Sequence, residues 1–249
     1  DVAPAILSTY GLEMLTLTGL NFGPNATVLT GCPSRKGSGT VNVALPRIIY
    51  ANNIGLKYEA ADCIILQSQT KITCRSVVGV GRQFQWQAIV SGQASPFSKA
   101  TTDYKPPIIS SIIGPGAFGS NTKGGDTFYL RGDFFGPAGS VHIDLVQYWN
   151  VEVKNIFLAN SCRVEEAQRS MRCLSGKGVG KNFKYKVAIA GQDSNVGAYN
   201  GFYARPTLHG VKRTNDDPMD NSDTRGFTIS LGETLPRYEV AVMNGENFG

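Results

Sequence analysis

Two stretches of the chain alternate strictly between apolar and polar positions. Phe183, Tyr185 and Val187 are separated by Lys184 and Lys186, and Phe84, Trp86 and Ala88 by Gln85 and Gln87. A period of two sends the aromatics to one face and the long polar chains to water, which predicts half-buried β-strands. Three shorter alternating pairs, Leu15/Leu17, Phe128/Leu130 and Val240/Val242, each run into a Gly-x-x-Phe-Gly motif. Each reads as a strand followed by a turn. The Gly-Val-Gly triplets at 79–81 and 178–180 precede the long alternating runs and are read as hairpin turns. The best helical candidate is 165–172, but its counterpart at 67–73 has no helical pattern, so no amphipathic helix is expected.

These patterns recur at a fixed distance. Cys63 to Cys162 and Cys74 to Cys173 are both steps of 99. At the same offset, without gaps, Ser76 matches Ser175, Phe84 matches Phe183 and Trp86 faces Tyr185. Gly92-Gln93 matches Gly191-Gln192, Tyr104 matches Tyr203, and Pro107 matches Pro206. The turn motif appears three times: Gly19-Leu20-Asn21-Phe22-Gly23, Gly132-Asp133-Phe134-Phe135-Gly136, and Gly245-Glu246-Asn247-Phe248-Gly249. A fixed period of this kind marks one structural unit used repeatedly. The expected boundaries are 1–106, 107–205 and 206–249. The third unit stops inside its opening motif and is read as truncated, the chain being an excerpt of a longer tandem array. The links Tyr104-Lys105-Pro106-Pro107 and Tyr203-Ala204-Arg205-Pro206 are short, and proline restrains both itself and the residue before it, which favours stiff junctions.

The Pro-x-Ile openings, the Gly124-Gly125-Asp126-Thr127 strand entry, Gly-x-x-Phe-Gly, the cysteine pair and the closing hairpin together resemble the IPT/TIG domain. That resemblance covers both complete units and the start of the third. It implies an all-β fold of tandem immunoglobulin-like β-sandwiches, two complete and a third truncated. Unit one departs from the pattern. Leu12-Glu13-Met14 stands where unit two has its paired glycines, and the stretch from Phe22 to Cys63 is longer than that from Phe135 to Cys162. The extra residues, which include 33–39, are expected to form a long loop or an added hairpin.

IPT/TIG domains occur in transcription factors and in tandem arrays on extracellular proteins. The cysteines favour the second setting. Zinc sites show shorter Cys spacing and four ligands, and the two histidines, His142 and His209, sit at no repeated position. Disulfides Cys63–Cys74 and Cys162–Cys173, each within one unit, are expected instead, which implies an oxidising compartment. Cys32 lies in the unit-one insertion without a counterpart. It is read as a half-buried free thiol, or as bonded to a second chain or to a part of the protein outside this sequence, and the sequence leaves these open. Asn25-Ala26-Thr27 is an N-glycosylation sequon, so an N-glycan is expected at Asn25. Asn160-Ser161-Cys162 has the rarer form, where modification is not expected if Cys162 is oxidised early, and the sequence leaves this open.

Several motifs invite stronger readings than they carry. Arg131-Gly132-Asp133 is the integrin-type tripeptide, but Gly132 belongs to the repeated turn and its neighbours vary between copies. Residues 176–181 resemble a phosphate loop but lack the closing Ser or Thr. Lys177, Lys181, Lys184 and Lys186 read as a solvated strand face, with an acidic partner or polyanionic glycan as the sharper alternative. Asp216, Asp217, Asp220 and Asp223 do not follow an EF-hand pattern. Tyr148-Trp149 is the adjacent aromatic pair to test as a carbohydrate platform.

Composition narrows the function classes. Hydrophobic residues are 41% and charged residues 17%, enough for packed cores and too few charges for a coiled coil or disordered chain. Gly and Pro, 29 and 12, suit a turn-rich all-β chain. The net charge of +5 is spread thinly and is no nucleic-acid footprint. No apolar run reaches about 18 residues, so membrane attachment is expected only through parts outside this chain. No nucleophile, base and orienting group form a recognisable set, so catalysis, cofactors and metals are not expected. The expected role is a non-catalytic structural or adhesive segment of a large extracellular cell-surface or filament-forming glycoprotein. It would be a spacer making lateral contacts with other chains, by self-assembly or with cell-surface partners. The distribution of the family suggests the coat or flagellar hair of a single-celled eukaryote. The alternative is a ligand-binding receptor ectodomain of the plexin or fibrocystin type.

Overall fold

The computed structural model describes residues 1–25, 28–30, 40–42, 45–139, 142–150, 155–213 and 241–246. The described elements are all β-strands. In the first unit they are β1 (Val2–Ala3), β2 (Ile6–Leu7), β3 (Met14–Thr18), β4 (Val28–Thr30), β5 (Thr40–Asn42), β6 (Arg47–Ala51), β7 (Lys57–Glu59), β8 (Ala61–Gln67), β9 (Lys71–Arg75), β10 (Phe84–Val90), β11 (Gln93–Ala94) and β12 (Thr101–Tyr104). In the second they are β13 (Ile108–Ile113), β14 (Phe118–Ser120), β15 (Thr127–Asp133), β16 (Ile143–Asn150), β17 (Ile156–Leu158), β18 (Asn160–Glu166), β19 (Ser170–Leu174), β20 (Lys181–Ile189), β21 (Gln192–Asp193) and β22 (Gly197–Tyr203). A last hairpin follows, β23 (Thr207–Arg213) and β24 (Ala241–Glu246).

Each unit is two facing sheets. The first has β1-β3-β9-β8 against β2-β12-β10-β6-β7, with β11 beside β10; the second has β13-β15-β19-β18 against β14-β22-β20-β16-β17, with β21 beside β20. The strand orders correspond element for element. The difference is the hairpin β4–β5, which pairs Val28 with Asn42 and Thr30 with Thr40 inside the unit-one insertion. That extra pair of strands is the added hairpin. Residues 33–39 and Cys32 lie outside the described residues, as does the acidic stretch at 216–223.

The cores follow the alternation. Phe84, Trp86 and Ala88 on β10 point inward, as do Phe183, Tyr185 and Val187 on β20, while Leu15, Leu17, Phe128 and Leu130 close the cores from the opposite sheets. Tyr50 stacks on Trp86 with ring centroids 4.2 Å apart, and Tyr148 stacks on Tyr185 at 5.2 Å. The core therefore repeats its aromatic layering while exchanging Trp for Tyr. Cys63–Cys74 and Cys162–Cys173 are bonded, each joining neighbouring antiparallel strands, β8 to β9 and β18 to β19.

One expectation needs correction. The Gly-Val-Gly triplets are not hairpin turns, because β9 and β10 belong to different sheets, as do β19 and β20. The triplets lie in crossovers between the sheets, and their glycines answer to two demands. Gly81 and Gly180 have φ of +111° and +112°, where an L side chain is strained. Gly79 and Gly178 pass so close to a tyrosine that an added Cβ would lie 2.8 Å from the hydroxyl of Tyr104 or Tyr203.

Candidate functional site

The crossovers are held by paired tyrosines. In unit one the Tyr104 hydroxyl donates to the Val77 carbonyl at 2.8 Å and bonds the Tyr50 hydroxyl at 2.7 Å, while the Val77 N–H donates to Tyr50 at 3.3 Å. Unit two repeats the ring of bonds with Tyr203, Tyr148 and both backbone groups of Gly176. Burial raises the pKa of Tyr50, Tyr104, Tyr148 and Tyr203 above the ordinary phenol value. The ring places each Gly-Val-Gly segment at one end of its sandwich. In unit one that end is where the second unit sits.

The contact between the units centres on Gln168, in the turn between β18 and β19. Its Oε1 accepts from the Thr9 hydroxyl at 2.6 Å and from the Gly136 N–H at 3.0 Å, and its Nε2 donates to the Thr9 carbonyl at 2.9 Å. Both side chains are buried, Thr9 fully and Gln168 at 3% exposure. Gln168 thus ties the Gly-x-x-Phe-Gly turn of its own unit to the neighbouring unit with one amide. Gly136 packs on Val80, so closely that a Cβ there would meet Val80 Cγ1 at 2.4 Å. On another side the hairpin turn between β20 and β21 meets Gly81 and Arg82, and Gln192 Nε2 donates to the Tyr104 carbonyl at 2.6 Å. Ala190, in that turn, is 2% exposed.

A partly exposed aromatic and charged rim surrounds these contacts. The Tyr10 hydroxyl donates to Asp133 at 2.7 Å, and its ring meets Phe134 edge-on at 6.2 Å. The bond to Asp133 raises the Tyr10 pKa. Arg169 lies over the Tyr10 ring and 3.8 Å from Asp133, and the Lys105 ammonium stands 5.2 Å from the centre of the Phe134 ring. Such contacts are individually weak at the surface, about 0.5–1 kcal/mol each. The buried Thr9–Gln168 pair is the stronger tie, because separating it strands a hydroxyl and an amide.

The residues singled out in the sequence fall as follows. Asp133 of the Arg-Gly-Asp tripeptide is engaged by Tyr10, and Arg131 pairs with Glu166 at 3.1 Å. Tyr148 is buried in the core, so Tyr148-Trp149 forms no exposed aromatic platform; this corrects the carbohydrate candidate. Lys186 pairs with Asp193 at 2.7 Å. Asn25 is exposed, and its Oδ1 accepts from the Ser68 hydroxyl at 3.3 Å; Ala26 and Thr27 lie outside the described residues. Asn160 is exposed at the start of β18. Among the described residues no group of three His, Cys, Asp or Glu side chains is placed to hold a metal, and no helix is long and apolar enough to cross a membrane. Sequence reasoning missed Thr9, Tyr10 and Gln168, although Gln168 is offset by 99 from Gln69.

No family model and no curated protein matches the chain. Among solved structures it is similar to SGBP-B from a complex xyloglucan utilization locus in Bacteroides uniformis, with a TM-score of 0.31 and 13% identity over 89% of this chain and 56% of that one. It is also similar to the full extracellular region of plexin A4, with a TM-score of 0.28 and 10% identity over 83% of this chain. The chain spans about half the length of the first and 25% of the second, and both similarities are weak.

Proposed function

We propose that the chain is a non-catalytic structural segment of an extracellular or cell-surface protein. In this reading IPT/TIG-like sandwiches are stacked end to end as a stiff spacer that offers its faces to other chains. The observation that carries the reading is the buried Thr9–Gln168 contact, which fixes one sandwich on the next through directional bonds instead of leaving the linker to set their angle. Domains joined by linkers alone move relative to one another, so a built interface is what a spacer requires. Two disulfides within the units support an oxidising compartment. The outer strand β8 supports lateral contact: Ile64 and Leu66 are exposed where unit two carries Arg163 and Glu165, the charges that usually blunt an edge. The glycan expected at Asn25 belongs to the same setting.

The spacer reading is tested by electron–electron distance measurement between nitroxides at Lys57→Cys and Lys177→Cys, in a Cys32→Ser background. One narrow distance distribution is expected. A broad distribution, unchanged by Gln168→Ala, would mean that the linker alone connects the units and that the chain is no stiff spacer.

A further inference from the structure

Where β20 begins and β22 ends, unit two carries a cleft of about 390 Å³ whose walls include Lys181, Asn182, Asn200, Phe202, Arg205 and Pro206. That size lies within the range of about 300–1,000 Å³ typical of small-molecule sites. The walls combine one exposed ring with polar groups. Phe202 is 39% exposed, and its ring is held by Phe118, with centroids 6.2 Å apart and the planes at 65°. Beside it Lys181, Asn182 and Asn200 are exposed. Among the described residues Lys181 forms no ion pair, and neither asparagine amide has a hydrogen-bond partner. No carboxylate of a described residue lines the cleft.

Unit one shows what this corner of the sandwich accepts. Steps of 99 relate Arg82 to Lys181, Gln83 to Asn182 and Asp103 to Phe202. Gln83 and Asn182 share a left-handed φ of +59°, so the two corners turn alike. In unit one the Gln83 N–H donates to the Asp103 carboxylate at 2.6 Å, with the basic Arg82 next in the chain. A left-handed corner beside a cation therefore holds an anionic oxygen there. Unit two keeps the corner and a cation but puts an aromatic ring where unit one has its carboxylate. A ligand that answers this change brings a carboxylate and a flat apolar face edged with hydroxyls. A uronic acid ring has all three. Its C–H face suits the electron-rich face of Phe202, and its hydroxyls suit amides that both donate and accept. A peptide strand is less suited, because β22 is paired on both sides, to β14 and β20, and the cleft opens on no sheet edge.

We propose that this cleft binds a uronate residue of an acidic saccharide, with the carboxylate at the Lys181–Asn182 corner and the sugar ring against Phe202. The site belongs to unit two alone, since unit one occupies the same corner with Asp103. It stands whether or not the joint between the units is stiff.

Calorimetric titration of the full chain tests it. The probes are tetrasaccharides of galacturonate, of mannuronate and of glucuronate-containing hyaluronan, each also as its methyl ester. At least one acid is expected to bind, and its ester to bind about tenfold more weakly or worse, because the ester forfeits a charge-assisted bond. Phe202→Asp restores the unit-one residue and is expected to abolish binding by supplying the corner with its own carboxylate. Lys181→Gln leaves the ring in place and is expected to weaken binding by about three- to tenfold. Thermal melts establish that each variant is folded, and Lys181→Gln decides the matter if Phe202→Asp is not. The proposal is overturned if no acid binds, if an ester binds as well as its acid, or if the folded variants bind like the unaltered chain. A glutamate-rich hexapeptide that binds more tightly than every saccharide overturns it too, and makes the ligand an acidic peptide.

Discussion

Gln69 and Gln168 occupy equivalent turns with nearly the same backbone, φ +66° and +69°. Each accepts from the last glycine of its turn motif, Gly23 at 3.3 Å and Gly136 at 3.0 Å. Gln69 stops there and is exposed; Gln168 goes on to Thr9 and is buried. One residue type thus does a local job in one copy and joins two units in the other. The difference predicts different penalties. Gln168→Ala leaves the buried Thr9 hydroxyl without its acceptor and is expected to destabilise by about 2–3 kcal/mol. Gln69→Ala removes one exposed bond and is expected to lose under about 1 kcal/mol. Denaturant melts of both variants check this, and equal losses would mean that the Thr9 contact contributes nothing in solution. The sequence hid this contact for a physical reason. A repeat is recognised by what its copies share, and a joint between copies depends on residues such as Tyr10, Asp133 and Phe134, where they differ. Those variable positions made Arg131-Gly132-Asp133 look like template plus filler, yet Asp133 takes the bond from Tyr10.

At the scale of elements, the strands were legible because alternation and burial report the same thing. Phe84 to Ala88 and Phe183 to Val187 bury the side chains that the period of two selects. The connections were less legible, since glycines at a hairpin and at a sheet-to-sheet crossover look alike in sequence. What separates them is a tyrosine far along the chain whose ring occupies the space a Cβ would need. The partner tyrosines carry no repeat signal at the fixed step: Tyr50 and Tyr148 are 98 apart, one short of the repeat. These pairs give the fold a defined response to base. Their folded pKa values lie above the ordinary value of 10.0, because burial disfavours the phenolate. The unfolded chain releases those protons near pH 10 while the folded chain holds them. Stability is therefore full below about pH 10 and falls as pH rises beyond it. Phenolate absorbance during an alkaline titration is expected to show the exposed tyrosines ionising first and the buried ones together with unfolding. Smooth ionisation of every tyrosine near pH 10, with the fold intact, would contradict the ring of bonds at the crossovers.

At the scale of the molecule, the question is whether two sandwiches behave as one body. Each has its own aromatic core and its own disulfide, so each has the means to fold alone. The Thr9–Gln168 amide, the packing of Gly136 on Val80 and the turn at Ala190 all connect them. If that connection outweighs the freedom of the linker, the units lose structure together, and calorimetry of the chain is expected to show one shared transition for both. Gly23 and Gly136 offer a matched pair of perturbations. Both sit at positive φ, +88° and +85°, so alanine at either brings a backbone penalty of about 1 kcal/mol or more. At Gly23 the nearest atom to an added Cβ is Ile65 Cδ1 at 3.8 Å, within the same unit. At Gly136 it is Val80 Cγ1 at 2.4 Å, across the joint. Gly23→Ala is expected to lower the shared transition without dividing it. Gly136→Ala must push the units apart and is expected to split it in two. Two separate transitions in the unaltered chain would show that the joint orients the sandwiches without coupling their stability. A stiff array would then rest on local geometry at each junction, with each unit opening under load independently of its neighbours.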